Sequence, residues 1–199
     1  MFFSSVVDTL FVIGIVKARR LNKMEKLLRN KYFHLYVKII GFTIIICSVE
    51  LLFINVTYGD VLHVNGLNKK LGSVGEYGAI FAASLWFLRH LWLFLKKKNI
   101  NLFKSIKELY LFIKKFHVLI GYAVIAVAIT HGTYFLIKGS HHILLIYSGI
   151  FSLLVLLALG LTGFFSQKLN KKTKFMVYRK VHQVIAIIFG IGLLIHLNV

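Results

Sequence analysis

Five long apolar stretches constrain this chain more than any other feature of its sequence. They cover residues 36–57, 73–95, 112–137, 143–165 and 178–197. A helix of about 20 predominantly apolar residues crosses the ~30 Å hydrocarbon core of a bilayer, so each stretch is long enough to span a membrane. Of the 199 residues, 58% are hydrophobic, which is too apolar for a water-soluble domain of this size. We therefore expect an all-α membrane protein, a bundle of five or six transmembrane helices that forms a single membrane domain over residues 1–199.

A sixth candidate span at residues 2–16 is left open. It contains Asp8 and is only 15 residues long, which is short for a hydrocarbon core of ~30 Å. Its positive charges, Lys17, Arg19 and Arg20, follow the apolar part, whereas those of a cleaved signal peptide precede it. We interpret residues 1–34 as a short apolar segment followed by a basic cytoplasmic loop.

The distribution of basic residues predicts the orientation of the chain. Residues 17–31, 96–115 and 168–180 hold seven, seven and six of the 25 Lys and Arg residues. The connections that alternate with these clusters carry only Lys69, Lys70 and Lys138. By the positive-inside rule the three clusters are cytoplasmic and the poor connections lie outside. Basic clusters beside apolar spans favour contact with anionic lipid, so we expect a multi-pass protein of the inner or plasma membrane with no nucleic-acid partner.

The connection before the third span has room for a surface helix. Between residues 101 and 116, apolar side chains recur at positions 102, 106, 109 and 113, with lysines at 104, 107 and 114. This spacing predicts an amphipathic helix that lies at the cytoplasmic surface of the membrane.

Two histidine pairs with the same spacing indicate the chemistry. His131 follows His117 by fourteen positions in the third span, and His196 follows His182 by the same interval in the fifth. An α-helix of that length rises ~21 Å and rotates to within about 40° of a whole number of turns, so each pair lies on one helix face at two depths. Ionisable side chains within membrane spans are costly and usually functional. The equal spacing therefore favours a shared role for the four side chains.

The orientation predicts how the four histidines pair. Both spans run outward from the cytoplasm, which places His117 and His182 near the inner end and His131 and His196 near the outer end. Imidazole is a good ligand for iron, and a haem between two helices takes one histidine from each at matching height. We therefore predict axial ligand pairs His117/His182 and His131/His196 for two haems, with irons on the order of 20 Å apart. The sequence has no C-x-x-C-H motif and one cysteine, Cys47, so both haems are expected to be b-type.

The other five histidines are interpreted as solvated or interfacial side chains: His34, His63, His90, His141 and His142. One alternative stays open for the last two. They adjoin each other at the outer mouth between two spans and could bind a metal ion that is being reduced.

Small and basic residues near the four histidines have two interpretations each. Four glycines lie close to them in sequence: Gly121, Gly132, Gly190 and Gly192. These either let a flat macrocycle approach the backbone or serve ordinary helix packing. Four basic residues lie at cytoplasmic ends of spans: Arg89, Lys115, Arg179 and Lys180. These either pair with haem propionates or extend to the interface as snorkelling side chains.

The two histidine-bearing segments resemble a known family. Residues 116–135 read F-H-V-L-I-G-Y-A-V-I-A-V-A-I-T-H-G-T-Y-F, and residues 178–197 read Y-R-K-V-H-Q-V-I-A-I-I-F-G-I-G-L-L-I-H-L. They resemble the ligand-bearing helices of the ferric reductase-like transmembrane domain family, which includes membrane parts of NADPH oxidases, ferric reductases and the haem-binding subunit of the bacterial methionine sulfoxide reductase system. The Leu-Thr-Gly stretch at 161–163, followed by a basic loop, resembles that family's lead-in to its second ligand helix. The resemblance covers residues 73–197, which we interpret as a ferric reductase-like haem-binding core.

The resemblance implies a ligand set and a source of electrons. In the family, two helices each supply two histidines to a pair of stacked b haems, and His117, His131, His182 and His196 occupy those positions here. Oxidases and eukaryotic ferric reductases continue into a cytosolic flavin and nicotinamide domain, whereas this sequence has no G-x-G-x-x-G motif. As in stand-alone bacterial members, the expected donor is a separate flavoprotein reductase or membrane quinol. The expected extracytoplasmic acceptor is ferric iron, oxygen or a partner protein.

The sequence thus predicts a transmembrane b-type cytochrome, the membrane haem subunit of an oxidoreductase, in which no side chain acts as general acid or base. Two alternatives stay open. One is a haem carrier or sensor without sustained electron transfer, and the other is a haem-free membrane scaffold whose histidines only pack. A quinol-oxidising cytochrome of the b561 type is disfavoured, because such proteins usually spread their ligands over more helices.

Overall fold

The described part of the chain is helical. The computed structural model describes residues 25–59, 64–139, 143–168 and 172–199, and these residues contain no β-strand. A short helical segment at residues 25–29 is followed by five long helices: α1 Lys31–Tyr58, α2 Asn65–Lys97, α3 Phe103–Lys138, α4 Ile143–Lys168 and α5 Lys172–Asn198.

The surface of these helices is apolar. On α1, Phe42, Ile46 and Phe53 are 56%, 57% and 66% exposed, although water solvates such a continuous apolar surface poorly. All five helices are long and apolar enough to cross a membrane. This confirms the expected all-α membrane fold with five membrane-spanning helices. The sixth candidate span, residues 2–16, lies outside the described residues.

The helix ends follow from local sequence. The Asn30 side chain accepts a hydrogen bond from the backbone N–H of Tyr32 at 2.8 Å and caps the start of α1. After α2, Asn99 adopts a left-handed φ of 52°. The N–H of Ile100 then reaches the Leu95 carbonyl at 3.1 Å, and that of Asn99 reaches the Lys96 carbonyl at 3.2 Å. This pair of bonds is a Schellman motif, which satisfies carbonyls that the end of a helix would otherwise leave without partners.

Helix α3 differs from the expectation of a separate surface helix at residues 101–116. It runs without a break from Phe103 to Lys138, a length of 36 residues. At ~1.5 Å per residue, this helix is about 54 Å long and exceeds the ~30 Å hydrocarbon core. The amphipathic segment is therefore the first part of the third membrane-spanning helix.

Contacts within the chain divide it into two compact units, the first containing residues 25–39 and 84–116. In this unit the Arg29 guanidinium lies 2.7 Å from a Glu108 carboxylate oxygen. The hydrogen bond from Arg29 to Glu108 and the carboxylate charge raise the pKa of Arg29. His34, expected to be solvated or interfacial, is half-buried. Its Nε2 lies 2.6 Å from the Leu28 carbonyl, and its Nδ1 lies 2.7 Å from Nζ of Lys115.

The second unit contains residues 40–83 and 117–199 where they are described, and holds all four candidate ligands. Ala79, Val124 and Leu156 form a buried cluster in it, with Phe189 packed against them. Val124 lies midway in sequence between His117 and His131, and Phe189 lies midway between His182 and His196. An apolar layer therefore separates the two histidine levels along each helix.

Candidate metal centre

The four predicted ligands lie on two helices of the second unit, His117 and His131 on α3 and His182 and His196 on α5. All four side chains are half-buried. An imidazole at this depth has exchanged water for protein or lipid, so its ring nitrogens need other partners. What each ring contacts is therefore informative about its role.

The structure brings His117 and His182 together. Their ring centroids lie 6.3 Å apart, and their planes are inclined by 73°. A metal–imidazole bond is about 2.0–2.1 Å long, and the ligating nitrogen lies about 1.1 Å from the centroid of its ring. Two imidazoles on opposite sides of one metal ion therefore have ring centroids about 6.2–6.4 Å apart. The two rings are thus separated by the distance that an axial pair requires. His131 and His196 lie fourteen residues further along the same two helices.

A hydroxyl of α4 favours the tautomer of His182 that is protonated at Nδ1. The Thr162 hydroxyl donates to the Leu159 carbonyl of its own helix at 2.9 Å. Because a hydroxyl has a single proton, its oxygen then accepts a hydrogen bond from Nδ1 of His182, which lies 3.2 Å away. With the ring proton on Nδ1, Nε2 keeps the lone pair that a metal ion would need.

The same arrangement recurs at His196. The Ser148 hydroxyl donates to the Leu145 carbonyl at 3.0 Å and accepts from Nδ1 of His196 at 3.1 Å. Ligating histidines characteristically donate their second ring N–H to a carbonyl, a carboxylate or water, which orients the ring. The Thr162 and Ser148 hydroxyls would orient the rings of His182 and His196 in the same way.

A glycine adjoins each of these hydroxyl residues and makes room for the ring. A Cβ at Gly149 would lie 3.1 Å from Cε1 of His196, and one at Gly163 would lie 3.3 Å from Cε1 of His182. The interval from Ser148-Gly149 to Thr162-Gly163 is itself fourteen positions, which matches the spacing of the histidines. This repeat in α4 is the sequence signal that could have identified these supporting residues.

His131 is held by α2. Its Nδ1 donates to the backbone carbonyl of Asn68 at 2.8 Å. Its ring also packs directly on the backbone of Gly72, where a Cβ would lie 2.6 Å from Cε1 and 2.7 Å from Nδ1. No real Cβ approaches another atom so closely, so the position requires glycine unless the ring moves.

A buried polar network supports this end of the centre. Asn55 on α1 and Asn68 on α2 are both fully buried. Each amide donates to the other's oxygen, at 2.9 and 3.1 Å, and Asn55 also donates to the Thr130 carbonyl at 3.3 Å. The Thr130 hydroxyl in turn lies 2.8 Å from the carbonyl of Ser48. The network joins three helices at the residue that precedes His131.

His117 differs from the other three histidines. Its Nδ1 is buried, and the described part of the chain provides no hydrogen-bond partner for it. Buried polar atoms without partners are rare in proteins and call for an explanation.

The four glycines near the histidines differ in their surroundings. At Gly121 and Gly190 an added Cβ would meet no described atom within 4 Å, which leaves room at the backbone. At Gly132 it would meet Leu153 at 3.6 Å, an ordinary van der Waals contact, and at Gly192 it would meet Phe151 at 3.0 Å, so Gly192 lies in a tight helix contact.

The remaining histidines that the structure describes, His34 and His90, add no further ligand set. His90 is exposed, and its Nδ1 lies 2.8 Å from the Trp86 carbonyl of its own helix. His63, His141 and His142 lie outside the described residues. Among the residues with described side chains, no group of three or more His, Cys, Asp or Glu could hold a bare metal ion. A haem needs only two axial imidazoles from the protein, because the macrocycle supplies the other donors. The donor set therefore fits haem better than a bare ion.

Comparison with known proteins gives no assignment: no protein-family model matches the chain, and neither a curated protein nor a solved structure is similar to it.

Proposed function

We propose that this chain is a membrane cytochrome that binds two b haems and carries single electrons across the bilayer. The observation that carries the proposal is the pairing of His117 with His182 at 6.3 Å. The Nδ1 protons on His131, His182 and His196 support it, because each leaves Nε2 available to a metal.

Bound haem iron would supply the electron-transfer chemistry by changing between its ferric and ferrous states. The chain's own contribution is to hold and orient the imidazoles. His117 and His182 would hold one haem, and His131 and His196 the other. An apolar layer around Val124 and Phe189 lies between the two levels.

The proposed reaction class is ferric reductase-like electron transfer at the cell membrane. A separate flavoprotein reductase or a quinol would supply electrons, and ferric iron, oxygen or a partner protein would accept them outside. The three basic clusters support this orientation, because the positive-inside rule predicts that the ends of the spans nearest His117 and His182 are cytoplasmic.

A pyridine haemochrome assay on the purified protein tests the proposal. We expect two b haems per chain, and one after His182→Ala. The matched control is His90→Ala, which changes an exposed histidine on α2 and should retain both haems. A colourless preparation from cells grown with ample haem would contradict the proposal.

Sealed vesicles separate electron transfer from haem carriage or sensing. With a donor on one side only and a membrane-impermeant ferric chelate on the other, we expect reduction of the chelate. Haem that is reduced but passes no electrons to the chelate would indicate a carrier or sensor.

A further inference from the structure

The two ends of the centre differ in the hydrogen bonding of their ring nitrogens. On α5, His182 and His196 each donate to a hydroxyl, at 3.2 and 3.1 Å. On α3, His131 donates to a peptide carbonyl at 2.8 Å, whereas the described residues leave Nδ1 of His117 without an acceptor. Because the α5 partners are alike, the difference between the ends comes from α3.

Hydrogen bonding at Nδ1 changes the ligand strength of Nε2. A ring that donates to a strong acceptor gains imidazolate character and becomes more basic. A more basic axial ligand stabilises ferric over ferrous iron, and hydrogen bonds near the metal are among the means by which proteins set haem potentials. The Asn68 carbonyl, 2.8 Å from Nδ1 of His131, is such an acceptor.

The carbonyl of Asn68 is held in place by its own side chain. The Asn68 amide is paired in both directions with Asn55, and the Asn68 Nδ2 also lies 3.2 Å from the Val64 carbonyl. Asn55 also donates a hydrogen bond to the carbonyl of Thr130, the residue that precedes His131. Movement of the acceptor away from the ring would therefore break several buried hydrogen bonds.

We propose that the Asn55–Asn68 pair makes His131 a stronger iron ligand than His117, so that the His131/His196 site has the lower reduction potential of the two. The inference rests on the proposed function. It assigns Asn55 and Asn68 as positioning residues, which act through the His131 ring without contacting a cofactor.

The first experiment is a redox titration of the purified protein, followed by the low-spin EPR signals of the two haems. To assign the signals, an impermeant dysprosium chelate is added to sealed vesicles on the side of the membrane nearer to His131 and His196. The chelate broadens the EPR signal of the nearer haem. We expect two potentials, with the broadened signal belonging to the lower one. Equal or reversed potentials overturn the inference and leave the proposed function intact. A protein without haem overturns both.

The second experiment tests the positioning role. Asn55→Leu should raise the lower potential toward the higher one and leave the higher unchanged. Asn55→Leu/Asn68→Leu removes both amides and leaves neither buried alone, so it provides the same test if the single variant folds poorly. The control is Ser152→Ala, which removes a buried hydroxyl with no partner among the described residues and should change neither potential. An unchanged lower potential in folded Asn55 variants would overturn the role of the pair.

Discussion

Residue 72 illustrates how tightly single positions constrain the centre. Because a Cβ there would lie 2.6 Å from Cε1 of His131, we expect Gly72→Ala to displace the ring and reduce the haem content from two per chain to one. Alanine favours helix by about 1 kcal/mol over glycine, so α2 itself should not be weakened. The haemochrome assay measures the loss.

Gly66→Ala is the matched control for this prediction. It lies on the same helix, and an added Cβ would have no described atom within 4 Å. The control should keep both haems. Retention of two haems in Gly72→Ala, with unaltered spectra, would contradict the assigned contact.

The sequence identified the candidate ligands but not the residues that hold them. The four histidines stand out because ionisable groups are rare in apolar spans and because the two histidine pairs have the same spacing. Asn68 contacts His131 through its backbone carbonyl. Because every residue has such a carbonyl, the residue type at position 68 does not predict this contact from sequence. Gly72 matters through a ring on another helix, and only the packing of α2 on α3 reveals it.

Helix α4 supports α5 at two depths, and the two supports are separable. Thr162→Val keeps the shape of the side chain and removes the oxygen that accepts from His182. Loss of such partners typically weakens metal-site binding by about 10–100-fold. We expect weaker retention of the His117/His182 haem only, measured as haem loss to apomyoglobin and followed by the EPR signal of each haem.

Ser148→Ala should produce the complementary result and weaken the His131/His196 haem only. Thr162→Ser restores a hydroxyl and should retain haem as the wild type does. Equal loss of both haems from either variant would mean that α4 acts through general packing and not through the individual rings.

The extent of the helices was harder to predict than their existence. Residues 101–116 have a helical pattern whether they lie on the membrane or continue into it. The sequence contains no proline, so nothing separates this segment from the span that follows. Helix α2 begins at Asn65, whereas its apolar stretch begins at residue 73. The first turns of the helix are polar, and hydropathy does not register that the Asn68 side chain has a buried partner in Asn55.

We predict the orientation of the whole molecule from the distribution of charge, and this orientation determines which histidine pair faces which side of the membrane. If residues 96–115 are cytoplasmic, a cysteine at position 98 should be protected in intact cells, and one at position 138 should react. We expect Lys138→Cys, in a Cys47→Ala background that removes the one native thiol, to be labelled by a membrane-impermeant maleimide. Lys98→Cys should be labelled only after permeabilisation. The reverse pattern would exchange the inner and outer assignments, so the lower potential would then belong to the cytoplasmic side of the membrane.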